Sequence, residues 1–209
     1  MKDVDPYAKI APLYDLVVTP FLNPVRKNIC RVLQGLQVKT VVDLGCGTGR
    51  QLEMLHRYGF QTCGVDFSGA MLNKAEALSP GLKLYQGDIA GTPFPDSSFD
   101  CSILSLALHE NSRTRQDQIL AEALRITRFK GYLVVLEHGF PSGTAGNMIS
   151  LLTHIPERLA GTTHYRNYLE FMKSGGLPEL LLSWPSLETV ENKVFYYGIL
   201  VLLTARISV

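Results

Sequence analysis

The chain lacks any uninterrupted apolar run long enough to cross a bilayer, and its start, from Met1 to Pro6, has no apolar segment of the secretory kind. These absences read as a soluble chain with no integral membrane segment. Charge of one sign is missing too, with 20 Lys and Arg set against 19 Asp and Glu and no basic run among them. Double-stranded nucleic acid would call for a basic face, so nucleic acid is excluded as a partner. The four cysteines, Cys30, Cys46, Cys63 and Cys101, form no C-x-x-C pair and make a poor disulfide framework. That pattern suits a reducing, cytoplasmic setting. The five histidines show no H-x-x-x-H spacing, and Glu110 stands without a carboxylate cluster after the fourth strand. Sequence spacing therefore offers no preformed metal site, and none is expected. Internal repeats and low-complexity linkers are also missing.

Against these absences stands an apolar fraction of 46% with 19% charged residues, enough for a full core and too apolar for disorder. The length of 209 residues suits one α/β domain with a decoration. The most telling stretch is Val41-Val42-Asp43-Leu44-Gly45-Cys46-Gly47-Thr48-Gly49. Its β-favouring positions lead to an acid, and glycine then falls at every second position. This reads as a strand turning tightly into a helix, with glycine where φ is positive or a ligand approaches the backbone. A dinucleotide fingerprint in this register needs a third glycine at position 50, which holds Arg50. A nicotinamide oxidoreductase is thereby disfavoured. An acid at the strand's end repels a pyrophosphate but accepts a hydrogen bond from a ligand ammonium, directly or through water.

Elements then alternate. Residues 5–37 read as helical and apolar, broken at Pro12, Pro20 and Pro24. Strands are expected at Thr40–Leu44, Gln61–Val65, Leu82–Gln86, Phe99–Leu106 and Gly131–Glu137. Helices are expected at Arg50–Tyr58, Ser68–Ala77 with Ser68 as N-cap, and Arg115–Thr127. The alternation predicts a doubly wound parallel sheet. It fails across 142–176, where glycines and Pro156 surround an apolar segment, Met148–Ile155, read as an inserted helical lid. Leu187–Tyr196 and Ile199–Arg206 are two further strand-like runs joined at Gly198.

The acid-x-G-x-G-x-G turn resembles motif I of the class I S-adenosylmethionine-dependent methyltransferases. Two further strings, Thr92-Pro93-Phe94-Pro95-Asp96-Ser97-Ser98-Phe99-Asp100 and Arg125 to Leu133, resemble the methyltransferase type 11 family, which includes the ubiquinone and menaquinone biosynthesis enzymes. The family's turn at the second string reads Arg-hydrophobic-Leu-Lys-Pro-Gly-Gly-x-Leu. This chain departs from it with Phe129 for the proline and Lys130 for the first glycine, while Gly131 remains. Leu136-Glu137-His138, His164 to Leu169 and the tail from Tyr197 to Leu202 resemble shorter stretches of the quinone-pathway enzymes.

The resemblance implies a mostly parallel, seven-stranded Rossmann-like sheet whose last strand is antiparallel. It implies one domain over 1–209, with an N-terminal helical cap (1–37), a cofactor-binding core (38–141), a lid insert (142–176) and a C-terminal sheet edge (177–209). The implied cofactor is S-adenosyl-L-methionine, with S-adenosyl-L-homocysteine as product. Its expected contacts are Asp43, Gly45, Cys46, Gly47, Thr48, Gly49, Asp66, Phe67, Met71, Asp88, Ile89 and Ser105. Asp66, 23 residues after Asp43, is placed on the ribose hydroxyls. Phe67 and Met71 are placed against the adenine, and Asp88-Ile89 at its amine and ring face. Each strand-end acid taken singly fits a helix cap equally well; three behind one glycine turn do not.

The expected acceptor is a small molecule, apolar or aromatic. His109 and His138, after strands four and five, are candidate bases or anchors at the crevice rim, with a satisfied capping role as the even alternative. Tyr7, Tyr14, Tyr165 and Tyr168 are candidate acceptor walls, with core packing the alternative. His56 and His154 read as structural. Other readings stay open: a lipid head group or thiol as acceptor, a catalytically inactive cofactor-binding regulator, and a homodimer.

Overall fold

A computed structural model describes residues 11–159 and 161–208. Its elements are α1 (Ala11–Gly35), β1 (Thr40–Leu44), α2 (Arg50–Arg57), β2 (Gln61–Asp66), α3 (Gly69–Leu78), β3 (Lys83–Gln86), β4 (Phe99–Ser105) and α4 (Arg113–Ile126). There follow β5 (Thr127–His138), α5 (Gly143–Leu159), α6 (Thr162–Lys173), α7 (Gly176–Leu182), β6 (Leu187–Phe195) and β7 (Leu200–Ile207). The seven strands form one sheet in the order β3-β2-β1-β4-β5-β7-β6. All neighbours from β3 to β5 pair in parallel, and β7 runs antiparallel to both β5 and β6. The strand order reverses between β1 and β4, which opens the ligand crevice of such sheets at the carboxyl ends of these two strands.

The period-2 alternation of the strands divides the core between two faces. Val42, Leu133, Val135, Val201 and Leu203 pack against Ile119, Leu120 and Ala123 of α4, Phe171 of α6, and Leu177 and Leu180 of α7. Val41, Ile103, Val134, Leu136 and Leu202 face the other way, onto Leu22, Val25, Ile29 and Leu33 of α1 and Leu55 of α2. Both faces are thus covered, as a parallel sheet requires.

Two expectations need correction. Pro20 and Pro24 do not break the N-terminal helix; both lie inside α1. Both are exposed while Leu22, Val25 and Ile29 are buried, so the carbonyls left without an N–H partner face water as the opposite face packs. The inserted segment is also more than one helix. Three helices, α5 to α7, run from Gly143 to Leu182, past the expected boundary at 176. Ser68 caps α3 as expected, its Oγ accepting from the Met71 N–H at 3.1 Å.

Candidate functional site

Gly45, Gly47 and Gly49 all take positive φ, at 84°, 52° and 73°. The turn is fastened to β2, where the Val65 carbonyl accepts from Gly45 N at 2.8 Å and from Cys46 N at 3.1 Å. The Asp66 carboxylate continues the tie, accepting from Gly47 N at 2.8 Å and from Ser68 N at 2.9 Å. The last two of these three positions differ in what they demand. A Cβ at Gly49 would come 2.7 Å from the Ala75 Cβ, so α3 packing excludes a side chain there. A Cβ at Gly47 would meet nothing within 4 Å, so the space beside it belongs to a cavity.

That cavity, of about 370 Å³, lies over the carboxyl ends of β1, β2 and β4. Among its lining residues are Gly45, Gly47, Asp66, Phe67, Met71, Asp88, Ile89 and Ser105, all named from the sequence. Leu106, Ala107, Glu110, Asn111 and Arg115 line it too and were not among the expected cofactor contacts. Their common signal is position, in the segment that leaves β4 and in the first turn of α4. Arg115 forms an ion pair with Asp88, and this hydrogen bond holds the Asp88 carboxyl below its usual range.

Asp43 does not line the cavity but is buried at the end of β1, and its Oδ1 has no hydrogen-bond partner among the described residues. Burial first, and the charge of Asp66 second, push its carboxyl up to about 7. A buried acceptor without a donor costs about 1–3 kcal/mol. An ammonium group in the adjoining turn, direct or through water, relieves that cost.

The remaining turn residues do other work. Cys46 is buried against Leu52, Leu72 and Leu82. The Thr48 hydroxyl donates to Asp15 Oδ1 at 2.7 Å, and Arg50 donates to Asp15 Oδ2 at 2.9 Å, so α1 is bolted to the turn. Neither side chain, nor Gly49, lines the cavity.

His109 and His138 are not at an exposed rim. Both are buried, with their rings edge to face at 4.7 Å between centroids. Around them the fold gathers acids that sequence spacing had left apart. His109 Nδ1 lies 2.7 Å from Glu137 Oε2, and His109 Nε2 lies 3.3 Å from Glu157 Oε2. His138 Nε2 lies 3.3 Å from Glu157 Oε1. His164 Nε2 lies 2.6 Å from Glu157 Oε2, and its Nδ1 lies 3.3 Å from Glu110 Oε2. Burial lowers the His109 pKa, but the charge and hydrogen bond of Glu137 outweigh it and hold the ring well above its usual value. His164 rises to about 9 because the bonds to Glu110 and Glu157 overcome its burial. For Glu157, the hydrogen bonds from His109, His138 and His164 outweigh burial and hold the carboxyl far below its usual range.

A second cavity, of about 200 Å³, is lined by His138, Gly139, Phe140, Pro141, Ser150, His154, Tyr168, Leu169, Met172 and Ile199. Tyr168 is buried between this cavity and the histidines, edge-on to His138 at 5.0 Å and to His109 at 5.9 Å. Tyr165 stacks on Tyr168 at 6.2 Å, and its hydroxyl lies 3.2 Å from His154 Nδ1. His154, read from sequence as structural, is therefore a cavity residue. Tyr7 lies outside the described residues, as does the side chain of Tyr14.

Residues 42–135 match the family model described as a methyltransferase domain. The chain is 34% identical over 173 residues to the demethylmenaquinone methyltransferase of Renibacterium salmoninarum, covering 83% of this chain and 71% of the relative. It is 33% identical over 136 residues to that of Paenarthrobacter aurescens, covering 63% of this chain but only about half, 53%, of the relative. Among solved structures, a SAM-dependent methyltransferase from Methanosarcina mazei shares the fold at a TM-score of 0.60 and 20% identity, over 81% of this chain and 92% of that one. With the glycine turn, the strand order and the sequence match all in agreement, the chain belongs to the class I S-adenosylmethionine-dependent methyltransferases.

Proposed function

We propose that this protein transfers a methyl group from S-adenosylmethionine to a small apolar or aromatic acceptor. The observation that carries the cofactor half is the unpartnered Asp43 Oδ1 behind a cavity lined by Gly47, Asp66 and Ile89. When bound there, S-adenosylmethionine supplies an electrophilic methyl on a sulfonium. Asp43 takes up the ammonium of its amino-acid part, and the bare backbone at Gly47 lets the ligand lie close. Asp66, at the end of β2 on the cavity wall, receives the ribose hydroxyls on its carboxylate. Phe67, Met71 and Ile89 form the apolar walls of the base site. Asp88, oriented by Arg115, accepts from the base's amine.

The acceptor half rests on the second cavity. Its walls of Phe140, Tyr168, Leu169, Met172 and Ile199 suit a flat, largely apolar molecule. The relatives are named for a methylation of demethylmenaquinone, which places a quinol-type ring among the first acceptors to test. Methyl transfer is an in-line displacement, so the protein's contribution is positioning, with proton removal added where the acceptor requires it. Among the described residues no helix is long and apolar enough to cross a membrane. The four buried free cysteines fit a reducing, cytosolic setting.

The test is release of S-adenosylhomocysteine across a panel of quinols, phenols, thiols and amines, with calorimetry of cofactor binding beside it. Turnover with a quinol or phenol is the expected result. Tight cofactor binding with no turnover on any acceptor would instead favour a cofactor-binding regulator.

A further inference from the structure

We propose that His109, His138 and Glu157 form a binding site for a single divalent transition-metal ion of the zinc type. The three side chains come from the segment after β4, the end of β5 and helix α5, and all are buried. One ligand atom from each lies within 4.8 Å of the others. The detailed spacing is more informative. Zinc binds nitrogen and oxygen at about 2.0–2.1 Å, so neighbouring ligand atoms on a tetrahedron stand about 3.3 Å apart. His109 Nε2 lies 3.3 Å from Glu157 Oε2 and His138 Nε2 lies 3.3 Å from Glu157 Oε1, so each ring meets the carboxylate at this spacing through a different oxygen, and the set of three ligand atoms is held within 4.8 Å. The His164 contact, at 2.6 Å, is instead a direct hydrogen bond and assigns His164 a supporting place.

The surroundings have the construction of a metal site. A ligating histidine needs its second ring nitrogen held by an acceptor, which fixes the ring and leaves the other nitrogen's lone pair for the ion. Glu137 does this for His109. Its Oε2 takes the Nδ1 proton at 2.7 Å, while its Oε1 accepts from the Leu108 N–H at 2.7 Å. His164 in turn orients Glu157 and is itself held by Glu110. Tyr168 places its ring edge-on to both histidines and closes the apolar shell. Two imidazoles and one carboxylate suit zinc, and also iron(II) or manganese(II), with a coordination position left open. His138 lines the second cavity and Glu110 the first, so the ion stands beside the space assigned to the acceptor. The site stands on these side chains alone, whether or not the acceptor is a quinol.

The decisive measurement uses untagged, chelator-stripped protein titrated with Co²⁺ alone, then Zn²⁺ alone. One equivalent of Co²⁺ should bind with the strong visible bands of low-coordinate cobalt, and Zn²⁺ should displace it. Zn²⁺ should also raise the melting temperature by mass action. His138→Ala and Glu157→Gln should abolish the cobalt spectrum while S-adenosylmethionine still binds, and Glu137→Gln should weaken metal affinity about 10–100-fold. Wild-type protein that binds S-adenosylmethionine yet takes up no stoichiometric Co²⁺ or Zn²⁺ would overturn the site, leaving a cluster neutralised by protons alone. That outcome needs no variant to fold.

Discussion

Asp43 and Gly47 show how a single side chain, or its lack, sets the chemistry of the turn. Asp43 is raised to about 7 by burial and then by Asp66. An acid raised in this way lends stability below its unfolded value, near 4, and that contribution is lost as pH climbs through about 7. Unliganded stability should therefore fall over this range. Cofactor binding should run in the opposite direction, because an ammonium needs the ionised carboxylate. We expect S-adenosylmethionine affinity to be about tenfold weaker at about pH 6 than at about pH 8, and Asp43→Asn to lose both the affinity and the dependence. Calorimetry at the two pH values decides it; an affinity that ignores pH would remove Asp43 from the ammonium. Gly47→Val should keep the fold, since the new Cβ meets nothing within 4 Å, at a cost of about 1–2 kcal/mol for a φ of 52°. Cofactor binding should vanish. If it persists, the cavity beside Gly47 is not the cofactor's. Both residues were legible in the sequence because the turn is local. Cys46 and Thr48 share that turn but face the core and Asp15, and a glycine spacing carries no information about which way its intervening side chains point.

At the scale of the element, the β-strand cores were readable because strands buried on both faces leave short, mostly apolar runs such as residues 41–44 and 101–104. The departures came where packing overrides propensity. α1 runs through two prolines because its buried stripe of Leu22, Val25, Ile29 and Leu33 outweighs what the exposed face loses. β5 shows the reverse, a local cost retained. Its register against β4 shifts between Phe99 and Cys101, and opposite this shift Lys130 takes a φ of 61° where the family's pattern has glycine. Lys130 is exposed, and beside its backbone conformation its ammonium sits over the exposed Phe129 ring at 5.3 Å from the centroid. Lys130→Gly should relieve about 1–2 kcal/mol of strain against about 0.5–1 kcal/mol of added chain entropy, a net gain measurable as a higher melting temperature. No gain would mean that the strain is no larger than the chain entropy added by glycine. The neighbouring glycine behaves differently. A Cβ at Gly131 would stand 2.7 Å from both the Arg128 and Asp100 carbonyl oxygens, so Gly131→Ala should cost about 1–3 kcal/mol.

For the whole molecule, the question is how the inserted helices sit on the sheet. The sequence placed a glycine-flanked lid over 142–176 around the apolar segment Met148–Ile155. Met148 is exposed, while Ser150 and His154 of the same helix line the second cavity; the side chains of Leu151, Leu152 and Ile155 lie outside the described residues. Farther along, Phe171, Leu177 and Leu180 are buried in the core beneath the sheet, so α6 and α7 are fixed parts of the domain. The histidine cluster was invisible in the sequence for a related reason. Residues 109, 137–138, 157 and 164 come from four segments: the pairing of β4 with β5 brings His109 to Glu137 and His138, and the docking of α5 and α6 adds Glu157 and His164. Any closure is confined to α5, which is joined to the sheet through Glu157 and the histidines. We expect hydrogen exchange to be slow across α6 and α7 without ligands, and to slow across α5 only when cofactor and acceptor are both present. Breaking the tie with Glu157→Gln should speed exchange in α5 while leaving α7 unchanged. Equal, complete protection of all three helices in the unliganded protein would make the insert a static wall, and fast exchange in α6 and α7 would show that their buried side chains do not anchor them.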